Sequence, residues 1–186
     1  AALRGERIHR YCTAWGRNLW IDEIGPEYQP YYDAFVAWAT ANVEEVLHSS
    51  VRLYDDDLRF TGEFDMIVKM KISKEIVLLD IKTSASSSKA WPLQLAAYAH
   101  LCKQNGYHFD SIMNVHLKKT KPAVFDEIEV TESVSVGRGN PQSAEHTICV
   151  INTATAGALT DTPYIVRRYA FNHEPMPPDT IYMTPW

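Results

Sequence analysis

The stretch TGEFDMIVKMKISKEIVLLDIKTSASSSKAWPLQLAAY, Thr61 to Tyr98, reads as strand, turn, strand, short loop and helix. Alternation from Phe60 to Met70 predicts a strand with Thr61, Glu63, Asp65 and Ile67 on one face. Glu75 to Lys82 is short, apolar and bounded by polar residues, as expected of a buried sheet strand. Asp80 and Lys82 alternate with Ile81, so they leave the sheet on the same side. A carboxylate and an ammonium at the end of the run Ile76, Val77, Leu78, Leu79 are costly unless each finds a partner, a metal or a substrate. If the two strands form a hairpin, Asp65, Asp80 and Lys82 meet. Adjacent carboxylates repel and are best stabilised by a divalent cation. Oxygen ligands completed by water and phosphate favour Mg²⁺ or Mn²⁺. A neighbouring lysine can orient or deprotonate water and stabilise charge on phosphoryl oxygens. Together these groups suit metal-assisted hydrolysis of a phosphodiester.

Outward from this stretch the chain alternates helical and strand patterns. Ile8, Tyr11, Cys12 and Trp15 sit at helical spacing, predicting an amphipathic helix over 3–17. A helix so near the first residue is expected of a chain trimmed at its start. Asp22 to Pro30 is a loop with Gly25, Pro26 and Pro30. A second helix is expected from Tyr31 to about Leu47, then a short strand over Val51–Tyr54 and a solvated turn at Asp55–Asp57. Ser84–Ser88 is a polar loop able to cap the next helix. Pro92 fits that helix's first turn, and Gly106 marks its end. Asp110–Lys118 reads as a strand with Ile112, Asn114 and His116 on one face and Met113, Val115 and Leu117 on the other. Phe125–Val130 is a candidate sheet extension, and Thr131–Ser143 a long mobile loop. Ile148–Ile151 fits a strand or a helix start, Tyr164–Phe171 a strand, and the proline-containing residues 172–186 an extended tail.

The 186 residues, 46% hydrophobic and 22% charged, suit one soluble globular domain over 1–186. No apolar run reaches membrane-span length. Cys12, Cys102 and Cys149 fit no zinc or iron–sulfur spacing and suggest a reducing, cytosolic compartment. The net charge is −5, yet residues 66–121 hold nine lysines against three carboxylates, a local +6. A basic middle in an acidic chain suggests a one-sided patch facing a phosphate backbone. Surface lysines kept for solubility would give the same count.

Four pieces of sequence, taken in order, resemble the PD-(D/E)XK nuclease superfamily in its RecB-like and phage exonuclease branch. Gly5-Glu6-Arg7-Ile8-His9 resembles the early G-x-x-x-H, and Gly62-Glu63-Phe64-Asp65 the G-x-x-D strand. Leu79-Asp80-Ile81-Lys82-Thr83 resembles the hydrophobic-D-x-K-[ST] strand, and Gln94-Leu95-Ala96-Ala97-Tyr98 the Q-x-x-x-Y helix. The likeness covers residues 3–118; residues 119–186 carry no motif and read as an extension of the same domain.

The resemblance implies a restriction-endonuclease-like α/β fold, a central mixed sheet with helices on both sides. It implies Asp65 and Asp80 as ligands of Mg²⁺ or Mn²⁺, with the Ile81 backbone carbonyl, and His9 approaching the metal. Lys82 would act on the attacking water, and Gln94 and Tyr98, one helical turn apart, would hold catalytic groups or DNA. The family's additional glutamate has Glu44, Glu45 or Glu63 as candidates. Tyr31 or Tyr32 could stack on a base, whereas His100, His108, His116 and His146 lack metal-like spacing. The implied activity is a metal-dependent deoxyribonuclease, an exonuclease in phage or bacterial recombination or repair, with DNA and a single-strand annealing or recombination protein as partners. A structure-selective or single-strand endonuclease, an RNA-processing enzyme and a non-cleaving nucleic-acid binder are the competing expectations.

Overall fold

A computed structural model describes residues 2–88, 90–119, 128–130, 134–137, 147–157 and 164–172. In chain order it runs α1 (Ala2–Gly16), α2 (Gln29–Asn42), β1 (Val43–Asp55), β2 (Phe60–Met70), β3 (Ile76–Lys82), α3 (Ala90–Gln104) and β4 (Ser111–Leu117). Four strands follow: β5 (Ile128–Val130), β6 (Val134–Gly137), β7 (Thr147–Gly157) and β8 (Tyr164–Asn172). The strands form one sheet in the order β1-β2-β3-β4-β8-β7-β5, with β6 also paired to β7. β3 and β4 are parallel, and every other pairing is antiparallel. The parallel step is the one bridged by a helix, α3, as a crossover requires.

Each face of the sheet carries its own core. On one, Ile8 and Cys12 of α1 and Phe35 and Trp38 of α2 pack on Met66, Val68, Leu79 and Val115. On the other, Leu95, Ala99 and Leu101 of α3 pack on Phe64, Ile67, Leu78 and Ile112. Each fully buried large side chain contributes about 1.5–3 kcal/mol, so the two layers fix how the helices sit on the strands. α3 ends as its glycine predicts. Gly106 has φ +79, and the N–H groups of Gly106 and Tyr107 return to the carbonyls of Lys103 and Cys102 at 3.2 and 2.8 Å.

The second helix is shorter than its sequence pattern suggests. It stops at Asn42, and Val43 is already extended at φ −93, ψ 123. Glu45 and Val46 pair with Lys69 and Val68 of β2. A helix through Leu47 would leave those β2 groups without partners, so the sheet takes the segment and β1 grows to 13 residues.

Alternation in β2 breaks at Asp65. Phe64 lies in the α3-side core and Met66 in the α1/α2-side core, although they are two residues apart. The same reversal occurs opposite, between Val51 and Ser49, where Ser50 adopts the left-handed region at φ 53. Arg17, just past α1, holds this kink by donating to the carbonyls of Ser49 at 2.7 Å and Ser50 at 2.9 Å. Ile67 therefore faces α3, while Glu63 and Asp65 open toward α1. The single face expected for Thr61, Glu63, Asp65 and Ile67 is split in two.

Asp55 is buried rather than solvated. It accepts from the Leu58 N–H at 2.8 Å and meets His100 Nε2 at 2.6 Å. Lysines of the basic middle stand at both ends of β3. Lys69 and Lys74 pair with Glu44 beside the N-terminal end of β3. Lys82 closes its other end, roughly 20 Å away at ~3.3 Å per residue. The stretch 131–143, expected as a loop, contains the strand β6, and Ile148–Ile151, expected as a strand or a helix start, lies in the strand β7. The expected tail over 172–186 lies outside the described residues apart from Asn172. Among the described residues no helix is long and apolar enough to cross a membrane.

Candidate active site

β2 pairs with β3 through Met66↔Leu79 and stops there. Where the strands part, the Asp65 carboxylate replaces the ladder. Its Oδ2 accepts from the Ile81 N–H at 2.6 Å. The other oxygen, Oδ1, lies 2.7 Å from His9 Nε2 on α1. Apart from this ion-pair contact, Oδ1 is a buried oxygen with no hydrogen-bond donor among the described residues. Burial would lower the His9 pKa, but its contact with Asp65 and the charges of Asp65, Asp80 and Glu63 outweigh it, leaving the imidazole raised.

Asp80 leaves β3 toward α3 and is 3% exposed. Its Oδ2 receives Lys82 Nζ at 2.8 Å and Asn114 Nδ2 at 2.8 Å. Burial and the nearby Asp65 charge raise its pKa against the opposing pull of Lys82. Lys82 Nζ also donates to Gln94 Oε1, and Gln94 Nε2 donates to the Tyr98 hydroxyl at 2.8 Å. Gln94 and Tyr98 lie one turn apart on α3, so a single amide links the lysine to the phenol. Burial and the Asp80 and Asp65 charges push the Tyr98 hydroxyl up, keeping it protonated.

Gly62 explains the glycine before Asp65. A Cβ built there would lie 2.8 Å from Tyr98 Cε1 and 3.0 Å from Leu101 Cδ1. The bare strand lets α3 approach closely enough for Tyr98 to reach the site. Gly62→Ala is expected to cost about 1–3 kcal/mol by overpacking, lowering the melting temperature by roughly 2–4 °C per kcal/mol. An unchanged melting temperature in calorimetry would show that the contact is dispensable.

A pocket of about 910 Å³ gathers His9, Asp65, Asp80, Ile81, Lys82, Gln94 and Tyr98 on its wall. Glu63 also lines it. Its hydrogen bond from Ser50 and ion pair with Arg52 at 3.1 Å hold it below the usual carboxylate range. Glu44 is taken up by Lys69 and Lys74, and neither Glu44 nor Glu45 reaches the pocket. Tyr31 is buried, 5.0 Å beneath the Arg4 guanidinium, and so cannot stack on a base; Tyr32 packs into the same core. Trp20, 91% exposed, follows the pocket residue Leu19 in the chain.

Among the described residues, no three His, Cys, Asp or Glu side chains gather closely enough to hold an ion by themselves. The donor set is instead two carboxylates, one offering the buried Asp65 Oδ1 at its contact with His9, beside the backbone of Ile81. That set fits Mg²⁺ or Mn²⁺, which bind through one or two carboxylates and leave the remaining positions to water and phosphate. His9 belongs to the site through Asp65.

Asn114 was not singled out by the sequence. It is fully buried and belongs to the expected β4 face Ile112, Asn114, His116, in register with Asp80. An amide in an apolar strand two positions from a histidine was the available signal. Glu6, on the pocket wall, gave no signal beyond its place inside G-x-x-x-H.

The model of the PD-(D/E)XK nuclease superfamily matches residues 5–162. No curated protein matches the chain. The match spans the helix of His9, the strands of Asp65, Asp80 and Lys82, and the helix of Gln94 and Tyr98, in a mixed sheet flanked by helices. By that match and by this restriction-endonuclease-like fold, the chain belongs to the PD-(D/E)XK nuclease superfamily.

Proposed function

We propose that this nuclease is a Mg²⁺- or Mn²⁺-dependent deoxyribonuclease of the RecB-like and phage branch, an exonuclease serving DNA recombination or repair. One observation carries the proposal: Asp65, Asp80 and Lys82 share a single pocket wall with the Gln94–Tyr98 pair. Asp65 through Oδ1, Asp80 and the Ile81 carbonyl would hold the cation. When bound, it supplies Lewis acidity toward a phosphoryl oxygen and lowers the pKa of water.

The chain's own side chains do the rest. Asp80 and Gln94 each take one Lys82 hydrogen bond, leaving a third ammonium proton for the attacking water or a phosphoryl oxygen. Asn114 keeps Asp80 from swinging away, and Tyr98 keeps the Gln94 amide oriented. His9 fixes Asp65 from the opposite helix layer. Such positioned acid–base groups typically supply 10²–10⁴-fold in rate.

Incubation with Mn²⁺ and end-labelled linear or covalently closed circular DNA tests this reading. Loss of the linear substrate alone is the expected outcome. Nicked circles would indicate an endonuclease, cleavage of RNA in preference to DNA an RNA-processing enzyme, and intact substrates a binding protein.

A further inference from the structure

One strand beyond the catalytic lysine lies a cluster that the chemistry above does not use. His116 of β4 pairs in register with Lys82, and Arg167 of β8 pairs in register with Asn114, itself opposite Asp80. Asp80, Asn114 and Arg167 thus form one row across three strands, spanning roughly 10 Å at ~4.8 Å per strand. Arg167 lies over the Trp91 ring with its guanidinium carbon 5.6 Å from the centroid. Its Nη1 approaches His116 Nδ1 at 3.3 Å. His116 Nε2 lies 2.7 Å from the Ser84 carbonyl, which can only accept. The imidazole therefore carries its proton on Nε2 and offers Nδ1 to Arg167. Burial lowers the His116 pKa to about 4, in keeping with that neutral tautomer. Trp91 meets the same imidazole edge to face, with centroids 4.8 Å apart. Lys118, just past the end of β4 and two residues from His116, donates to the Ala85 carbonyl at 2.7 Å.

Among the described residues the cluster lacks a counter-charge. Arg167 and Lys118 are partly desolvated, and both lie below their usual pKa because of it. Among the described residues neither has a carboxylate within ion-pair distance, whereas Arg168 next door is paired with Glu75 at 2.6 Å. Two cations converge on a loop and a tryptophan. Ser84 and Trp91 also belong to the pocket wall that holds Lys82 and Asp80. Guanidinium groups favour phosphate through their planar fork, and partial desolvation strengthens the attraction.

We infer that Arg167 and Lys118, with Trp91 and His116 fixing the guanidinium, form a second phosphate subsite on the DNA strand being cut. It would receive a phosphodiester near the scissile one, roughly 10 Å from Asp80 along the row at ~4.8 Å per strand. The assignment rests on the nuclease reading for its substrate. It extends that reading by giving the strand a direction across the sheet, from β3 toward β8.

Binding and cleavage test it separately. Anisotropy of a labelled single-stranded oligonucleotide, titrated with the full chain in EDTA at several salt concentrations, reads the subsite without catalysis. Arg167→Gln is expected to weaken binding roughly tenfold and to lower the slope of log affinity against log salt by about 0.7. Arg167→Lys should recover the slope but not the whole affinity. Lys118→Gln, at a more exposed position, should lower the slope similarly and serves if Arg167→Gln folds poorly. In cleavage with Mn²⁺, the wild-type gain in kcat/KM from a mononucleotide p-nitrophenyl ester to a longer oligonucleotide should shrink about tenfold in Arg167→Gln. Slopes and length gains equal to wild type in the folded variants would overturn the subsite, and so would a wild-type chain that fails to bind the oligonucleotide. A wild-type chain that binds with the expected slope change but cleaves neither substrate would support the subsite and sink the nuclease reading instead.

Discussion

Lys82→Ala is expected to reduce DNA cleavage by about 10²–10⁴-fold while leaving DNA affinity close to wild type. Nζ stands between Asp80 and Gln94, and no other cation contacts either group among the described residues. With the ammonium gone, Asp80 keeps only the Asn114 amide, and Gln94 Oε1 loses its donor. The lysine side chain is 16% exposed at the mouth of the pocket, so its truncation opens no sealed cavity. The melting temperature should shift by no more than a few degrees. Single-turnover cleavage with Mn²⁺ separates the outcomes: a rate within tenfold of wild type would remove Lys82 from the chemistry, and a large KM change with intact kcat would make it a binding residue.

Asp80→Asn should separate stability from function in opposite directions. Asp80 has its folded pKa raised by burial and by Asp65. The folded protein therefore binds more protons than the unfolded chain between the unfolded Asp value, about 3.9, and the raised one. Stability contributed by this carboxyl is present in acid and lost as pH climbs through that window. A neutral amide avoids the loss. In EDTA at pH 8 the variant is expected to be about 1 kcal/mol more stable than wild type, as is common where an active-site charge is removed. Wild type should gain stability from Mn²⁺, about 2.7 kcal/mol at a hundredfold excess over Kd, and the variant should gain almost none. Calorimetry with and without Mn²⁺ reads both effects. An Mn²⁺ response equal to wild type would exclude Asp80 as a ligand, and a loss of metal-free stability would mean that its ion pair with Lys82 outweighs its burial.

The sequence was most informative where local pattern and tertiary structure agree. The faces of β4 follow from simple alternation, since Ile112 joins the core beneath α3 and Met113, Val115 and Leu117 join the opposite one. Asp80 and Lys82 share a side because β3 is regular up to its last residue. Pattern fails where distant segments decide the outcome. Residues 43–47 are helix-compatible until β2 requires a partner. Asp55 looks like a turn acid until α3 presents His100 to it. Asn114 becomes informative only when the parallel pairing of β3 and β4 sets it beside Asp80. The reversal at Asp65 depends on the left-handed Ser50 and on Arg17, at the end of α1, which holds it. No periodicity along β2 alone encodes it.

That reversal has a mechanical consequence. Phe64 and Met66 flank Asp65 and are each 1% exposed, seated in opposite cores. The carboxylate is thus riveted from above and below the sheet, so neither layer can slide over the strand without dragging Asp65 with it. Substitutions deep in either layer, such as shortening Phe64 or Met66, should register as defects in chemistry before they register as loss of the fold.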